Sequence, residues 1–343
     1  MKDHQLSSYD YELPPELIAD RPVKDRHSSR LLVYNEATDE ITHTTFRDLP
    51  KFLPPESTLV FNRSRVFPCR LFGKKITGGE AEVFLLTVTP LDGAYEALIR
   101  TTGKKKIGDQ FYFDGLSAKI EKINGQGTFQ VSFDVSEHEL IGKLETIGKI
   151  PIPPYIRDGE SDEEDKKTYQ TVYAKETGSV AAPTAGLHFS HELLKELEEL
   201  GHTLASVTLH VGMGTFAKVQ VENILEHKMH EEIYSIDSEN LKKIQDAKFR
   251  VAVGTTSLRT LESFWKSGVG TSATSIFLYP GVEVKSVDAL ITNFHLPKST
   301  LLMLVSSLIG REKTLSLYRL AVEERYRFFS YGDGMLILRK PKA

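Results

Sequence analysis

SHELLKELEELGHTLASVTLHV, running from Ser190 to Val211, changes its hydrophobic period halfway along. In the first half leucines stand at 193, 194, 197 and 200, the spacing of one helix face. Ser190 offers an N-cap hydroxyl, Glu192 places a negative charge in the first turn, and Gly201 stops the helix. The second half, LASVTLHV, has the apolar, partly β-branched content of a buried strand. A helix that leads into a buried strand is a unit of an α/β layer, and the chain downstream keeps alternating. Residues 238–249 read as helix, 250–254 as strand and 257–266 as helix. Residues 274–280 and 287–294 read as strands, the apolar segment after Lys298 and residues 314–326 as helices, and 335–340 as a closing strand.

Upstream, the period is different. From Arg63 to Ile150 short runs such as AEVFLLTV, AYEALIR, SAKIEKI and TFQVSFDV are punctuated by TGGE, LDG, KIGD and NGQG, which is an all-β pattern. The fold class expected is therefore a mixed α/β large domain with an inserted small all-β barrel domain. Residues 1–62 and 151–343 form the discontinuous α/β part, and residues 63–150 form the insertion. After the insertion, IPIPPYIRDGESDEEDKK joins prolines to an acidic run and reads as a surface connection.

Composition excludes several classes. The chain has 343 residues, 40% of them hydrophobic, which is enough for a real core. One cysteine, Cys69, leaves no disulfide framework. The longest apolar run, Ser299 to Gly310, is too short to cross a bilayer, and the first residues lack the basic flank and apolar centre of a secretory signal. A cytoplasmic protein without membrane contact is expected. The formal net charge of −4 argues against indiscriminate nucleic-acid coating. The segment from Arg63 to Lys106 departs from that average, with Arg63, Arg65, Arg70, Lys74, Lys75, Arg100, Lys104, Lys105 and Lys106 against Glu80, Glu82, Asp92 and Glu96.

Several polar loops fall at the ends of expected strands, where open α/β sheets hold ligands. VGTTS, Val253 to Ser257, offers hydroxyls and backbone N–H groups to an anion, or simply caps a helix. NFHLPKST places His295 and Lys298 before another helix. LHVGMGTFA has the glycine spacing of a dinucleotide loop, but the AKVQV that follows alternates like a strand, so the fingerprint is discounted. EHKMHEE carries His227 and His230 without any established zinc spacing, and no metal is expected. VAAPTAGLHFS brings Thr184, Gly186 and His188 to the start of the Ser190 helix, where His188 either meets a ligand or packs as a neutral ring.

Taken in order, these loops resemble the S-adenosylmethionine:tRNA ribosyltransferase-isomerase family of queuosine biosynthesis. The resemblance runs from ELPPELIADRPVKDRHSSRLLVY and LVFNRSRVFPCRLFG through APTAGLHF, LHVGMGTF, EHKMHEE, VGTTSLRTLES and FLYPGVEVKSVDALITNFHLPKST to RYRFFSYGDGMLIL. It implies that the ribosyl moiety of S-adenosylmethionine is transferred and isomerised onto 7-aminomethyl-7-deazaguanine at the tRNA wobble position. Epoxyqueuosine forms, and adenine and methionine leave. S-adenosylmethionine is then a consumed substrate, with no resident cofactor, and the partners are that tRNA and that donor; separately, a monomer is expected.

A sulfonium acidifies the neighbouring ribose carbon, so the reaction needs a proton acceptor there and a donor for departing adenine. The resemblance implies His188, His210, Glu226, His230, His295 and Asp333 as catalytic candidates, without separating acid from base. It implies Thr184, Gly186, Gly212, Gly214, Thr215, Thr255, Thr256, Arg259 and Lys298 as substrate-binding. Arg65, Arg70, Arg100, Lys104, Lys105 and Lys106 are implied as tRNA-binding. Four positions depart from the family pattern: Arg63-Ser64 in the first strand-end motif, Ala217-Lys218 after GTF, RTTGKKK in the insertion and Gly334 in GDGMLI. They leave open a diverged member that acts on another RNA or nucleoside. A plain methyltransferase is disfavoured because no glycine-rich turn opens a helix.

Overall fold

Runs of aliphatic side chains bounded by turn residues become strands, and they fall in two compact groups. In the computed structural model, which describes residues 2–212, 214 and 219–341, the first strands in chain order are β1 (Arg30–Asn35), β2 (Glu40–Thr45), β3 (Thr58–Asn62) and β4 (Ser64–Val66). Then come β5 (Arg70–Lys75), β6 (Glu80–Leu85), β7 (Tyr95–Thr101), β8 (Gln110–Phe113), β9 (Leu116–Ile123), β10 (Phe129–Phe133) and β11 (Glu176–Ser179). The last are β12 (Thr203–Leu209), β13 (Glu232–Ser235), β14 (Arg250–Val253), β15 (Thr271–Thr274), β16 (Ala289–Asn293) and β17 (Gly334–Leu338). The helices are α1 (Glu137–Ile147), α2 (Asp165–Thr168), α3 (His191–Glu199), α4 (Ser238–Gln245), α5 (Thr255–Ser267), α6 (Thr300–Ile309) and α7 (Arg311–Glu323).

One unit comprises Met1–Ser64, Thr171–Lys175 and Pro183–Ala343. Its nine-stranded sheet has the order β15-β13-β12-β3-β14-β16-β17-β1-β2. The four middle strands β12, β3, β14 and β16 are mutually parallel. β17 runs against β16 and alongside β1, while β13 runs against β12. The middle strands are buried on both faces, as parallel strands must be. Leu59, Phe61, Val251, Val253, Ala289 and Ile291 meet Phe189, Leu193 and Leu197 in one core, and the alternate residues Val60, Ala252 and Leu290 are also fully buried.

The Ser190 helix forms as its sequence directs. The Ser190 hydroxyl accepts from the Leu193 N–H at 3.2 Å, and Leu193 and Leu197 are buried. Leu200 is exposed instead, because it stands at the C-cap, past the last turn that faces the sheet. The strand expected over 274–280 is found earlier, at Thr271–Thr274, where it pairs with β13.

The second unit comprises Arg65–Gln170 and Glu176–Ala182. Six antiparallel strands close into a barrel in the order β10-β7-β6-β5-β8-β9. Leu71, Val83, Ala97, Phe111, Ile120 and Val131 are buried, one from each strand. The strand-and-turn pattern does not reveal α1. It starts with a capping box, in which the Ser136 hydroxyl accepts from the Glu139 N–H and the Glu139 carboxylate takes the Ser136 N–H. The unit also extends past Ile150. Its acidic stretch is no free surface loop, because Asp165 is fully buried and receives the Arg157 guanidinium and the Asp162 N–H, the latter at 2.8 Å.

Candidate active site

Parallel strands collect their carboxyl ends at one edge. Leu209, Asn62, Val253 and Asn293 end β12, β3, β14 and β16 there, joined by the amino ends of β17, β1 and β13. This is the edge at which open α/β sheets bind ligands. Two asparagines hold it together from inside. Asn62 donates from Nδ2 to the Leu209 carbonyl at 3.0 Å, and its Oδ1 accepts from the N–H groups of Leu209 and Ser64 at 3.1 Å each. Asn293 donates from Nδ2 to the Asp333 carbonyl at 3.4 Å and lies 3.1 Å from His188 Nε2. An amide nitrogen only donates, so His188 Nε2 is the unprotonated ring nitrogen.

The opening turn Thr184–His188 is a short 3-10 helix, and it does not present His188 to solvent. The imidazole is 3% exposed and stacks on Phe46, with centroids 4.1 Å apart. Burial first, then the nearby Arg26 and Arg327 charges, lower its pKa from 6.5 to about 3, so it is neutral at physiological pH. Gly186 is likewise not a point of ligand approach, because a Cβ there would overlap the Tyr173 hydroxyl and come 2.9 Å from Thr171 Cγ2. Thr184 is half-buried at the start of the turn.

His295 behaves similarly. Its Nε2 is 2.9 Å from Thr292 Oγ1, its carbonyl accepts from the Tyr11 hydroxyl, and burial lowers its pKa to about 3. Lys298 adopts a left-handed backbone with φ 57° and pairs with Asp10 at 2.6 Å, so its charge is already met. Asp333 is buried at the head of β17, where its carboxylate accepts the Arg30 N–H at 2.9 Å and the Arg327 N–H at 2.8 Å. Burial raises its pKa. These contacts make it a brace between two chain segments.

At the start of α5 no hydroxyl caps the helix. Gly254 occupies the cap with φ 90°, Ser257 donates back to the Val253 carbonyl at 2.8 Å, and the buried Thr256 hydroxyl has no hydrogen-bond partner. Thr255 is buried beside it. One turn on, Arg259 is 5% exposed, and its Nη1 donates to Glu232 at the head of β13. The Glu232 carboxylate also accepts the Gly212 N–H at 3.1 Å. Arg259 Nε and Nη2 are buried without hydrogen-bond partners.

This guanidinium lines a cleft shared with Gly214, His227, Met229, His230, Glu232, Thr300 and Leu301. His230 lies over Gly214 so closely that any Cβ at 214 would enter the imidazole ring. His227 has its pKa lowered by burial, then by its neighbour His230. Among the described residues no group of three or more His, Cys, Asp or Glu side chains is placed to share a metal ion.

The structure thus brings Gly214, His230 and Arg259 together in the cleft and Gly212 onto Glu232, while His188, His295 and Asp333 belong to the buried scaffold behind the strand ends. His210 is half-buried just after β12, and its N–H donates to the Ile233 carbonyl at 3.1 Å. Glu226 is exposed and accepts from Asn223 Nδ2 at 3.1 Å; it does not line the cleft. Thr215, Ala217 and Lys218 lie outside the described residues, and Val219 and Gln220 after them form no strand. Asn293, Glu232, His227 and Met229 are absent from the residues singled out in sequence as binding or catalytic. Of these, Glu232, His227 and Met229 stand in EHKMHEE, where the histidine spacing raises the question of a metal and nothing local announces an ion pair to a distant helix.

On the barrel, Arg70 is half-buried and engaged by Glu82 at 2.6 Å and by the Gly159 carbonyl. Arg65 pairs with Glu145 at 3.2 Å, and exposed Arg100 comes within 3.7 Å of Glu82. Lys104 and Lys106 are exposed and Lys105 half-buried, and none of the three is ion-paired among the described residues.

Two departures from the family pattern have local structural partners. Arg63 pairs with Asp237, the N-cap of α4, at 3.1 Å. At Gly334 a Cβ would stand 2.8 Å from the Phe46 ring that stacks on His188.

The chain is similar to known proteins along nearly its whole length. Residues 6–337 match the family described as queuosine biosynthesis protein. A protein of Desulforamulus reducens named S-adenosylmethionine:tRNA ribosyltransferase-isomerase is 46% identical, over 97% of this chain and 100% of its own. One of Thermosipho melanesiensis with the same name is 48% identical, over 97% and 99%. The crystal structure of S-adenosylmethionine tRNA ribosyltransferase from Thermotoga maritima matches with a TM-score of 0.55 at 36% identity, covering 96% of this chain and 100% of that one. Identity of this degree, carried along nearly the full length of both partners, means that the chain belongs to the S-adenosylmethionine:tRNA ribosyltransferase-isomerase family of queuosine biosynthesis.

Proposed function

We infer that this chain carries the ribosyl moiety of S-adenosylmethionine onto 7-aminomethyl-7-deazaguanine at the wobble position of a tRNA and isomerises it to epoxyqueuosine, releasing adenine and methionine. The observation that carries this reading to a place in the molecule is the cleft at the carboxyl edge, where two imidazoles adjoin a buried arginine with unpartnered donors. S-adenosylmethionine is consumed, and the chemistry calls for no resident cofactor.

The sulfonium acidifies the ribose carbon beside it, and a neutral imidazole is the fitting acceptor for that proton. His227, held below the ordinary histidine range by burial and by His230, is in that form at pH 7. The adjacent His230 is exposed and supplies the second role, protonating adenine as it leaves. His188 and His295, with ring nitrogens engaged by Asn293 and Thr292, act as positioning residues for the strand ends. We place the reaction in the cytoplasm with the tRNA. No helix among the described residues is long and apolar enough to cross a membrane.

The test is to incubate the protein with S-adenosylmethionine and an anticodon stem-loop carrying 7-aminomethyl-7-deazaguanine, then resolve nucleosides and small products by mass spectrometry. Epoxyqueuosine with adenine and methionine is expected. S-adenosylhomocysteine, or an unchanged stem-loop that an active relative converts, sinks the reading.

A further inference from the structure

We propose that Arg259 is the carboxylate anchor of the donor site, binding the α-carboxylate of the methionyl half of S-adenosylmethionine side-on through Nε and Nη2. The proposal rests on the family reaction inferred above and says which end of the donor the cleft takes.

A guanidinium has a side-on edge made of Nε–H and one Nη–H, which fits the two oxygens of a planar carboxylate. Glu232 holds Arg259 by Nη1, and the two donors left over, Nε and Nη2, are the pair that forms this edge. Both are buried, and buried donors without partners are costly unless an anion completes them. The Glu232 carboxylate is itself fixed by the Gly212 N–H at 3.1 Å, so the fork is oriented before any ligand arrives.

The surroundings favour the methionyl carboxylate over an RNA phosphate. Met229 and Leu301 give the same cleft apolar walls, suited to the methylene chain that separates a carboxylate from a sulfonium. Arg259 is 5% exposed, which suits a small donor and not a polymer backbone. Lys298, the other cation among the substrate-binding candidates, is half-exposed and paired with Asp10 at 2.6 Å.

The test is calorimetric titration of the full chain with S-adenosylmethionine and with decarboxylated S-adenosylmethionine, which keeps the sulfonium and adenosyl groups and lacks only the carboxylate. Loss of a buried charge-assisted pair predicts binding about 10- to 100-fold weaker for the decarboxylated donor. Arg259→Lys keeps the charge and loses the fork, and it should erase most of that preference. The wild-type comparison stands even if the variant folds poorly, and competition by L-methionine but not L-methioninol on the wild type is a third expected result. Equal wild-type affinity for the two donors, failure to bind either, or a preference retained in Arg259→Lys overturns the anchor. Conversion of the stem-loop by wild-type protein despite any of these would leave the family reaction standing and remove only the subsite.

Discussion

A histidine at a strand end can be read from its neighbours in sequence only as a polar group in a polar loop; its solvation is decided by what packs around it. His188 and His295 both qualify as proton acceptors on sequence, and both lie in the fully buried scaffold with pKa values lowered to about 3. In the unfolded chain each ring titrates near 6.5. Below that pH the unfolded state binds protons that the folded rings refuse, so the stability these neutral rings contribute is present above 6.5 and is lost as pH falls toward 3. Each ring accounts for about 2 kcal/mol between about pH 7.5 and 5.0. His202 and His227, also lowered, add in the same direction, while Asp333, raised by burial, opposes it. A fall of up to about 4 kcal/mol in unfolding free energy from the two buried rings is therefore expected over that window, read by urea titration. A flat profile there would show that the two rings are accessible to protons in the native state.

At the scale of the element, the turn Thr184–His188 that precedes α3 shows what sequence motifs leave unsaid. In sequence its glycine reads as room for a ligand, yet the space at Gly186 is filled by the Tyr173 hydroxyl. Gly186→Ala overfills that space and should cost about 1–3 kcal/mol. Tyr173→Phe in the same chain removes the overlapping oxygen and should return part of that loss, the ring carbon and Thr171 Cγ2 still standing 2.9 Å from the added Cβ. Thermal unfolding of the two single variants and the double variant checks this, and additive losses would mean that the turn yields elsewhere. The helix after the turn is legible because its signals are local: an N-cap serine, leucines at helical spacing and a stopping glycine. Helix α1 is equally local, with Ser136 and Glu139 at capping-box spacing, but the strand pattern around it hides it. The ion pair of Glu232 with Arg259 joins a strand to a helix 27 positions away, and no local signal encodes such a meeting.

At the scale of the whole molecule, the alternation of helix and strand and the closed barrel are both legible in the hydrophobic period. The edge on which the loops converge follows from the parallel middle strands, whose order depends on long-range pairing. Charge is where sequence and structure part most clearly. The basic excess counted from Arg63 to Lys106 is not uniformly available, because Arg63, Arg65 and Arg70 are committed to Asp237, Glu145 and Glu82. The lysines at 104, 105 and 106, in the loop between β7 and β8, carry no such commitment among the described residues. If tRNA phosphates are neutralised on the barrel, these three are the groups that release counterions. Replacing Lys104, Lys105 and Lys106 together by glutamine should weaken binding of the anticodon stem-loop and reduce the slope of log affinity against log salt by roughly 0.7 to 0.9 for each phosphate no longer neutralised. Barrel stability should be unaffected, since the three lysines add nothing to the buried core. A slope identical to wild type, in a variant that unfolds at the wild-type temperature, would move the RNA-binding surface off this loop. A weakened affinity with an unchanged slope would mean that the lysines shape the loop without touching phosphate.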